Sequence, residues 1–340
     1  MDKDLDIQIE EALKAYLASG VEEQVNYQRF YLYSIVTHST AIEGSTVTEI
    51  ENQLLFDEGI AAKGRSLSEQ MMNVDLKDAY LHAFQMASEN PIYTPQLLQQ
   101  LAALVMRRTG SEYSTIAGKF DSSKGEFRLC NVSAGIGGRS YLAYNKVPRA
   151  VDDFCNWLNE KRAQIDKNDI AAGYRISFEA HFGLVTIHPW VDGNGRTTRL
   201  LMNMIQRQLG LIPSIVRNED KGEYIQSLVD SRENDDSTIA QDIMLRHHIA
   251  NLNHRVSQYQ ESEGVNIGND GLNDGVKRLN KILQRIYNEI VNKPEIRTTE
   301  LMKILNISES TVTRATRELK KLGFIKRMGS DKTGRWVIIK

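Results

Sequence analysis

Charge divides this chain into two parts, which suggests two units. Residues 276–340 hold 16 Lys and Arg against 6 Asp and Glu, a net +10 that leaves −12 for residues 1–275, although the 340 residues together sum to only −2. An acidic body and a basic appendage imply different partners. Between them, residues 261–275 (ESEGVNIGNDGLNDG) carry four glycines among Asn and Asp and little apolar content, the composition of a linker. The expected division is a helical region over 1–90, a core over 91–260, the linker over 261–275 and a small domain over 276–340. At 25% charged and 41% hydrophobic residues, disorder, a collagen-like repeat and a coiled-coil rod are excluded. No apolar run approaches the roughly 18 residues that cross a bilayer, and the opening MDKDLDIQIE lacks an apolar signal core. The expectation is a cytoplasmic protein without a membrane partner. Cys130 and Cys155 are too few for a disulfide framework and read as incidental thiols.

Before the linker the apolar spacing is helical, through Leu5 to Leu17, Val25 to Val36, Met71 to Met86, Leu97 to Met106, Val151 to Leu158 and Ile170 to Ile187. Thr48 with Glu51 makes a capping box, and Thr94 stands before a first-turn Pro95. From Gly125 to Val147 short apolar stretches alternate with Gly135, Gly137 and Gly138, which predicts a small β-hairpin. The fold class is mainly α, with one hairpin.

Residues 188–199 read His-Pro-Trp-Val-Asp-Gly-Asn-Gly-Arg-Thr-Thr-Arg between two apolar helices. A tight Gly-Asn-Gly turn opening a helix aims backbone N–H groups and a partial positive charge at one spot, an anion nest suited to phosphate. Gly193 and Gly195 permit close approach, while Arg196 and Arg199, three apart, supply planar forks for further phosphate oxygens. Asp192 beside such a nest calls for a cation between them, Mg²⁺ shared with the phosphates. His188, ordinarily near pKa ~6.5, is mostly neutral at pH 7 and can accept a proton. Zinc is disfavoured because His188 and Asp192 are two ligands only, and the Gly-Lys-Ser/Thr ending of a P-loop is absent.

This segment resembles the signature of the Fic family, His-x-Phe-x-(Asp/Glu)-Gly-Asn-Gly-Arg-x-x-Arg, at every defined position but one, Trp190 replacing Phe. The resemblance implies a helical domain that transfers AMP from ATP to a hydroxyl of a target protein. His188 would activate the hydroxyl, Asp192 would hold Mg²⁺, Gly193, Asn194 and Gly195 would cradle the phosphates, and Arg196 and Arg199 would meet the outer ones. Ser39-Thr40-Ala41-Ile42-Glu43-Gly44 ends an amphipathic helix, and a glutamate in a last turn opposes the helix dipole, which calls for a cationic partner. Ser39, Glu43 and Gly44 match the family's inhibitory motif, (Ser/Thr)-x-x-x-Glu-(Gly/Asn), which implies pairing of Glu43 with Arg199 and exclusion of ATP from a productive pose. The same glutamate supports AMP removal in some relatives, so the direction stays open. Gly135, Gly137 and Gly138, flanked by Arg128, Asn131 and Tyr141, stand where the family has a flap that pairs with the target. Pairing of two copies is a further family trait.

Residues 276–340 resemble a winged-helix domain. An amphipathic helix (Leu279, Ile282, Leu283, Ile286, Ile290) precedes Pro294, a short helix runs to Leu305, Ser308 caps a second over 309–322, and strand-like alternation surrounds 329–334. Thr311, Thr313, Arg314, Arg317 and Arg335 are the expected DNA-facing residues, with Lys326, Arg327 and Lys332 on the wing. The rival from another class is a DNA-binding regulator whose pocket senses a nucleotide; having His188 at the loop favours the enzyme.

Overall fold

Several helix starts in this protein sit on side-chain oxygens, among them the two that the sequence signals at Thr48 and Thr94. In the computed structural model, which describes residues 2–134, 139–166, 168–264, 281–305, 307–321, 323–328 and 335–338, Asp2 caps α1 (Lys3–Ala18), and α2 spans Tyr27–Ile42. Thr48 and Glu51 form the capping box of α3 (Glu49–Glu58), Ser66 and Glu69 a second box on α4 (Leu67–Ser88), and Thr94-Pro95 opens α5 (Pro95–Val105). A two-stranded hairpin follows, β1 (Glu112–Thr115) and β2 (Gly118–Asp121), antiparallel with Tyr113 opposite Phe120. Then come α6 (Val147–Gln164), α7 (Ile170–Ile187), α8 (Asn194–Gln208), α9 (Lys221–Glu233) and α10 (Thr238–Gly264). The last helix enters the stretch expected as a linker; residues 265–275 lie outside the described residues.

The regular ladder therefore stands earlier than the glycine-punctuated region. Within 125–147 the described residues form one antiparallel bridge, Ser133–Ser140, flanked by Tyr141 N–H donating to Val132 O at 3.0 Å. Gly135, Gly137 and Gly138 lie outside the described residues. Arg128 explains why this stretch does not run straight. It is fully buried and spends its guanidinium on the carbonyls of His188 (2.8 Å), Cys130 (2.7 Å) and Leu142, fastening a compact loop rather than a strand.

The chain separates into two compact units, Met1–Tyr259 and Gln260–Lys340. In the first, α8 is the central element, packed against α7, α4, α5 and α2, with Arg196 through Gln206 all buried. Apolar residues from α1, α2, α4 to α8 and α10 form one continuous core, the outcome that three-and-four spacing on many helices requires. Two polar devices fix its outer helices. Arg175 on α7, itself buried, reaches Asp6 on α1 at 2.5 Å and Asp242 on α10 at 2.7 Å. Under α2, Thr40 donates to Asn73 Oδ1 (2.7 Å), Asn52 donates to Asn73 Oδ1 and to Thr37 Oγ1 (2.8 Å each), and Asn73 donates to Ser45 Oγ (3.0 Å), knitting α2, α3 and α4 together. All three helices contribute buried members, and the bonds satisfy most of their polar atoms, Asn52 Oδ1 excepted.

The second unit follows a helix, helix-turn-helix and two-strand order: α11 (Lys281–Asn292), α12 (Thr298–Leu305), α13 (Glu309–Lys321), β3 (Ile325–Met328) and β4 (Arg335–Ile338), the strands antiparallel. Leu283, Ile286, Ile290, Leu301, Val312, Leu319 and Trp336 are among the members of its core. Trp336 ties β4 to the turn after α11 by donating from its backbone to Pro294 O (2.8 Å) and from Nε1 to Ile296 O (3.2 Å). Leu279 and Lys332 lie outside the described residues.

Candidate active site

The site forms where α7 ends. His188 closes that helix in the left-handed region (φ 54°, ψ 62°), its N–H donating to Leu184 O at 3.1 Å. Its ring nitrogen Nδ1 lies 3.3 Å from Val185 O, which can only accept, so Nδ1 carries the proton and Nε2 keeps the lone pair. Burial lowers the imidazole to about pKa 4 despite that hydrogen bond, so the ring is neutral at pH 7. Tyr141 stacks on it, ring centroids 3.8 Å apart and planes 17° from parallel.

The loop after His188 is braced from within. Trp190 is buried and donates from Nε1 to Gly125 O at 3.0 Å, a bond that the phenylalanine usual in the signature cannot make. Asn194 accepts from Trp190 N–H (3.1 Å) and donates to Trp190 O (2.8 Å), so its side chain spans the bend instead of facing outward. Gly193 has φ +76°, and a Cβ there would meet Met106 Sδ at 2.6 Å. A Cβ on Gly195 would land on Glu43 Oε1, with Arg199 Nη1 at 3.0 Å. These two positions therefore demand glycine for separate reasons, one set by the core below and one by the carboxylate above.

That carboxylate is delivered by the end of α2. Gly44 (φ +100°) donates to Ala41 O and Ser45 to Thr40 O, the paired bonds of a Schellman turn, with Glu43 at the cap. Glu43 Oε1 accepts from Arg199 Nη2 at 2.5 Å, while Arg199 Nε donates to Ser39 Oγ and Nη2 to Ser39 O, both at 2.9 Å. Ser39, Glu43 and Arg199 are thus brought together. Burial opposes the charge on both partners, yet each outweighs it for the other: Glu43 is held below the usual carboxylate range and Arg199 above the usual arginine value. Arg199 Nη1 also donates to Tyr224 Oη (3.4 Å), which lies 2.9 Å from His181 Nε2; burial takes that histidine down to about pKa 3. Nothing in the sequence spacing pointed to Tyr224 or Met106 as parts of this site, because each arrives from another element, and His181, two turns before His188 on α7, stands in no motif.

Arg196 is in a different state. It is 4% exposed, touches Asp192 Oδ1 at 3.4 Å and Met106 Sδ at 3.3 Å, and its Nε and Nη1 have no hydrogen-bond partner. Asp192 extends into solvent, its side chain 61% exposed, and its Oδ1 accepts from Gly193 N–H. Among the described residues no group of three or more His, Cys, Asp or Glu could hold a metal unaided. Asp192 alone fits a hard cation whose other ligands come from phosphates and water.

On the second unit, Thr313, Arg314 and Arg317 are exposed along α13, and Arg335 is exposed on β4. Thr311 Oγ1 lies 2.8 Å from Ser308 Oγ, so it is occupied at the helix cap.

Residues 92–206 match the Fic/DOC family, and residues 279–326 match the winged helix-turn-helix DNA-binding family. The protein adenylyltransferase Fic of Aedes aegypti is 28% identical over 202 residues, 59% of this chain and 37% of its own. The protein adenylyltransferase fic-1 of Caenorhabditis elegans is 28% identical over 204 residues, 59% of this chain and 36% of its own. The chain thus spans little more than a third of the length of these curated relatives. Among solved structures, a Fic family protein from Desulfovibrio desulfuricans G20 matches 98% of this chain and 94% of its own (TM-score 0.62, 19% identity). Fic-1 of Caenorhabditis elegans matches 76% and 74% (TM-score 0.60, 21% identity). At these identities the likeness to the solved structures is one of fold.

Proposed function

From a chain that carries a Fic/DOC family domain and a winged helix-turn-helix domain, we propose a protein adenylyltransferase that moves AMP from ATP to a Ser, Thr or Tyr hydroxyl of a target protein. What carries this reading is Arg196, a buried guanidinium at the head of α8 with two nitrogens unmatched. Buried donors without acceptors cost on the order of 1–3 kcal/mol each, and an anion at a helix N-terminus relieves both that cost and the charge. His188, neutral and with Nε2 unoccupied by Val185, supports the role of base in the same loop.

In this mechanism His188 Nε2 takes the proton of the target hydroxyl, whose oxygen bonds to the α-phosphorus as the bond to the bridging oxygen breaks and pyrophosphate leaves. Arg196 and the N–H groups opening α8 stabilise the charge that develops on the phosphates. Magnesium, when bound with ATP, would neutralise part of that charge, and Asp192 is the residue that would hold it. Glu43 sits over Gly195 and on Arg199, where the terminal phosphate would need to go, so the resting protein is self-inhibited. Whether Glu43 also assists AMP removal depends on its holding a water rather than only Arg199, a choice that product analysis decides. The exposed cations of α13 suit DNA phosphates, which would bring the enzyme to DNA, in the cytoplasm and as a pair of copies in keeping with the family. A regulator that senses a nucleotide without transferring it is the alternative.

The test is transfer of label from α-labelled ATP to lysate proteins by wild type, Glu43→Gly and Glu43→Gly/His188→Ala. Label transfer that is strongest in the second protein and falls away in the third supports the reading; nucleotide binding without transfer in all three selects the sensor.

A further inference from the structure

The resting site contains an aromatic contact that neither the anion nest nor the inhibitory pair requires. We propose that Tyr141 is a positioning residue for His188: its ring, stacked face to face on the imidazole and itself held by Arg232, fixes the plane in which Nε2 is presented. The inference rests on the reading of His188 as the base.

The need for such a contact follows from the backbone. His188 leaves α7 in a left-handed conformation, so its side chain lacks the helical neighbours that would restrict a residue one turn earlier. Among the described residues its one ring hydrogen bond is long, 3.3 Å to Val185 O, and a single bond at one ring atom sets a distance but not the tilt of the ring. A stack at 3.8 Å and 17° sets the tilt. The two contacts are complementary, one choosing which nitrogen holds the proton and the other choosing where the remaining lone pair points.

Tyr141 is placed by features independent of His188. Its N–H donates to Val132 O beside the Ser133–Ser140 bridge, and the next residue, Leu142, has its carbonyl tied by the Arg128 guanidinium. Arg128 also donates to His188 O, so one buried side chain holds the backbone of His188 and that of the residue after Tyr141. From α9, the Arg232 guanidinium carbon lies 5.2 Å from the Tyr141 ring centroid, within cation–π range, and its buried Nε has no hydrogen-bond partner. A guanidinium that forgoes a hydrogen bond while lying over an aromatic ring is best accounted for by that ring. The bridge that carries Tyr141 is where an extended target segment would pair, so the base and the target would be aligned through one short piece of chain.

The experiment uses the full chain with the brake removed, Glu43→Gly, as parent. Tyr141→Ala and Tyr141→Leu in that parent are expected to lower kcat roughly tenfold to a hundredfold, the effect of a misplaced reacting group, with KM for ATP unchanged. Tyr141→Phe keeps the ring and is expected to keep the rate. In ¹⁵N spectra of the imidazoles at pH 7.5, His188 in the parent shows one tautomer, protonated at Nδ1; in Tyr141→Ala the ring is free to tilt, its long bond to Val185 O is lost, and its signals move toward the average of two. Full turnover in both the Ala and Leu variants overturns the proposal. So does loss of rate with unmoved His188 signals, which would make Tyr141 a target contact. If the parent itself transfers no AMP, the reading of function falls, while the ¹⁵N arm still decides whether Tyr141 holds the ring.

Discussion

Helices α8 and α13 each carry two arginines three residues apart, Arg196 and Arg199 on one, Arg314 and Arg317 on the other. On α8 both are buried, and on α13 both are exposed. Identical spacing on a helix has produced two kinds of cation. Buried guanidinium groups need partners built in, and Arg199 has three: Ser39, Glu43 and Tyr224. Arg196 has two nitrogens left over, which is where a ligand's charge is wanted. The exposed pair needs nothing from the protein, because water serves each nitrogen, and its affinity for an anion is correspondingly screened by salt. Burial, more than the presence of arginine, decides whether a basic pair is a specific site or a general surface.

The largest expected effect tests the buried side. In the Glu43→Gly background, His188→Ala should lower AMP transfer by about 10²- to 10⁴-fold with an unchanged circular dichroism spectrum; undiminished transfer would remove the base from the scheme. Next, Glu43→Gly should raise transfer over wild type by roughly 5- to 150-fold, the range of a coupling of 1–3 kcal/mol, measured with labelled ATP. Equal rates would mean that the Arg199 pair is structural, like any buried bridge. On the exposed side, Arg317→Ala should weaken duplex DNA binding alike for all sequences and reduce the dependence on log salt by about one, read by fluorescence anisotropy at several salt concentrations. A sequence-selective loss would mean that α13 reads bases there.

A titration sharpens the contrast further. Burial takes both His181 and His248 to about pKa 3 in the folded protein, while the unfolded chain binds those protons near pH ~6.5. Between these values the unfolded state holds more protons, so stability rises with pH across the window; the contribution is complete above pH ~6.5 and is lost as pH falls toward 3. Thermal unfolding followed from pH 7 to 4 should show a steady decline, and His248→Phe should flatten its slope by about one proton. The smallest effect belongs to Trp190→Phe. It deletes the bond to Gly125 O, worth about 0.5–1.5 kcal/mol, and should lower the Tm by about 1–6 °C with transfer retained.

Much of this site could be read before any coordinates. The Schellman end of α2 follows from Gly44, and Glu43 at that end signals a cation somewhere, which proves to be Arg199. The bend ahead of α8, with Gly193 at φ +76°, follows from two glycines opening a helix. What could not be read came from elements far apart in the chain. Met106 lies under Gly193, and Tyr224 behind Arg199, at separations of 87 and 25 residues, and no local period carries such contacts. The small ladder at 112–121 was missed because four-residue strands around Ile116-Ala117 give too little alternation to register, whereas glycines at 135–138 drew attention to a stretch that Arg128 in part shapes. The Asn194 side chain ties the bend to Trp190, a side-chain direction that composition does not hold.

The amide and hydroxyl lattice beneath α2 carries a consequence for release of the brake. Since Thr40, Asn52, Asn73 and Ser45 lock that helix to its neighbours, unfastening it would break several buried contacts at once, whereas swinging one partly solvent-reached glutamate breaks few. On the proposed reading, release of Glu43 would cost its bond to Arg199 and a change of rotamer rather than the unfolding of α2, so the architecture around the site would stay in place.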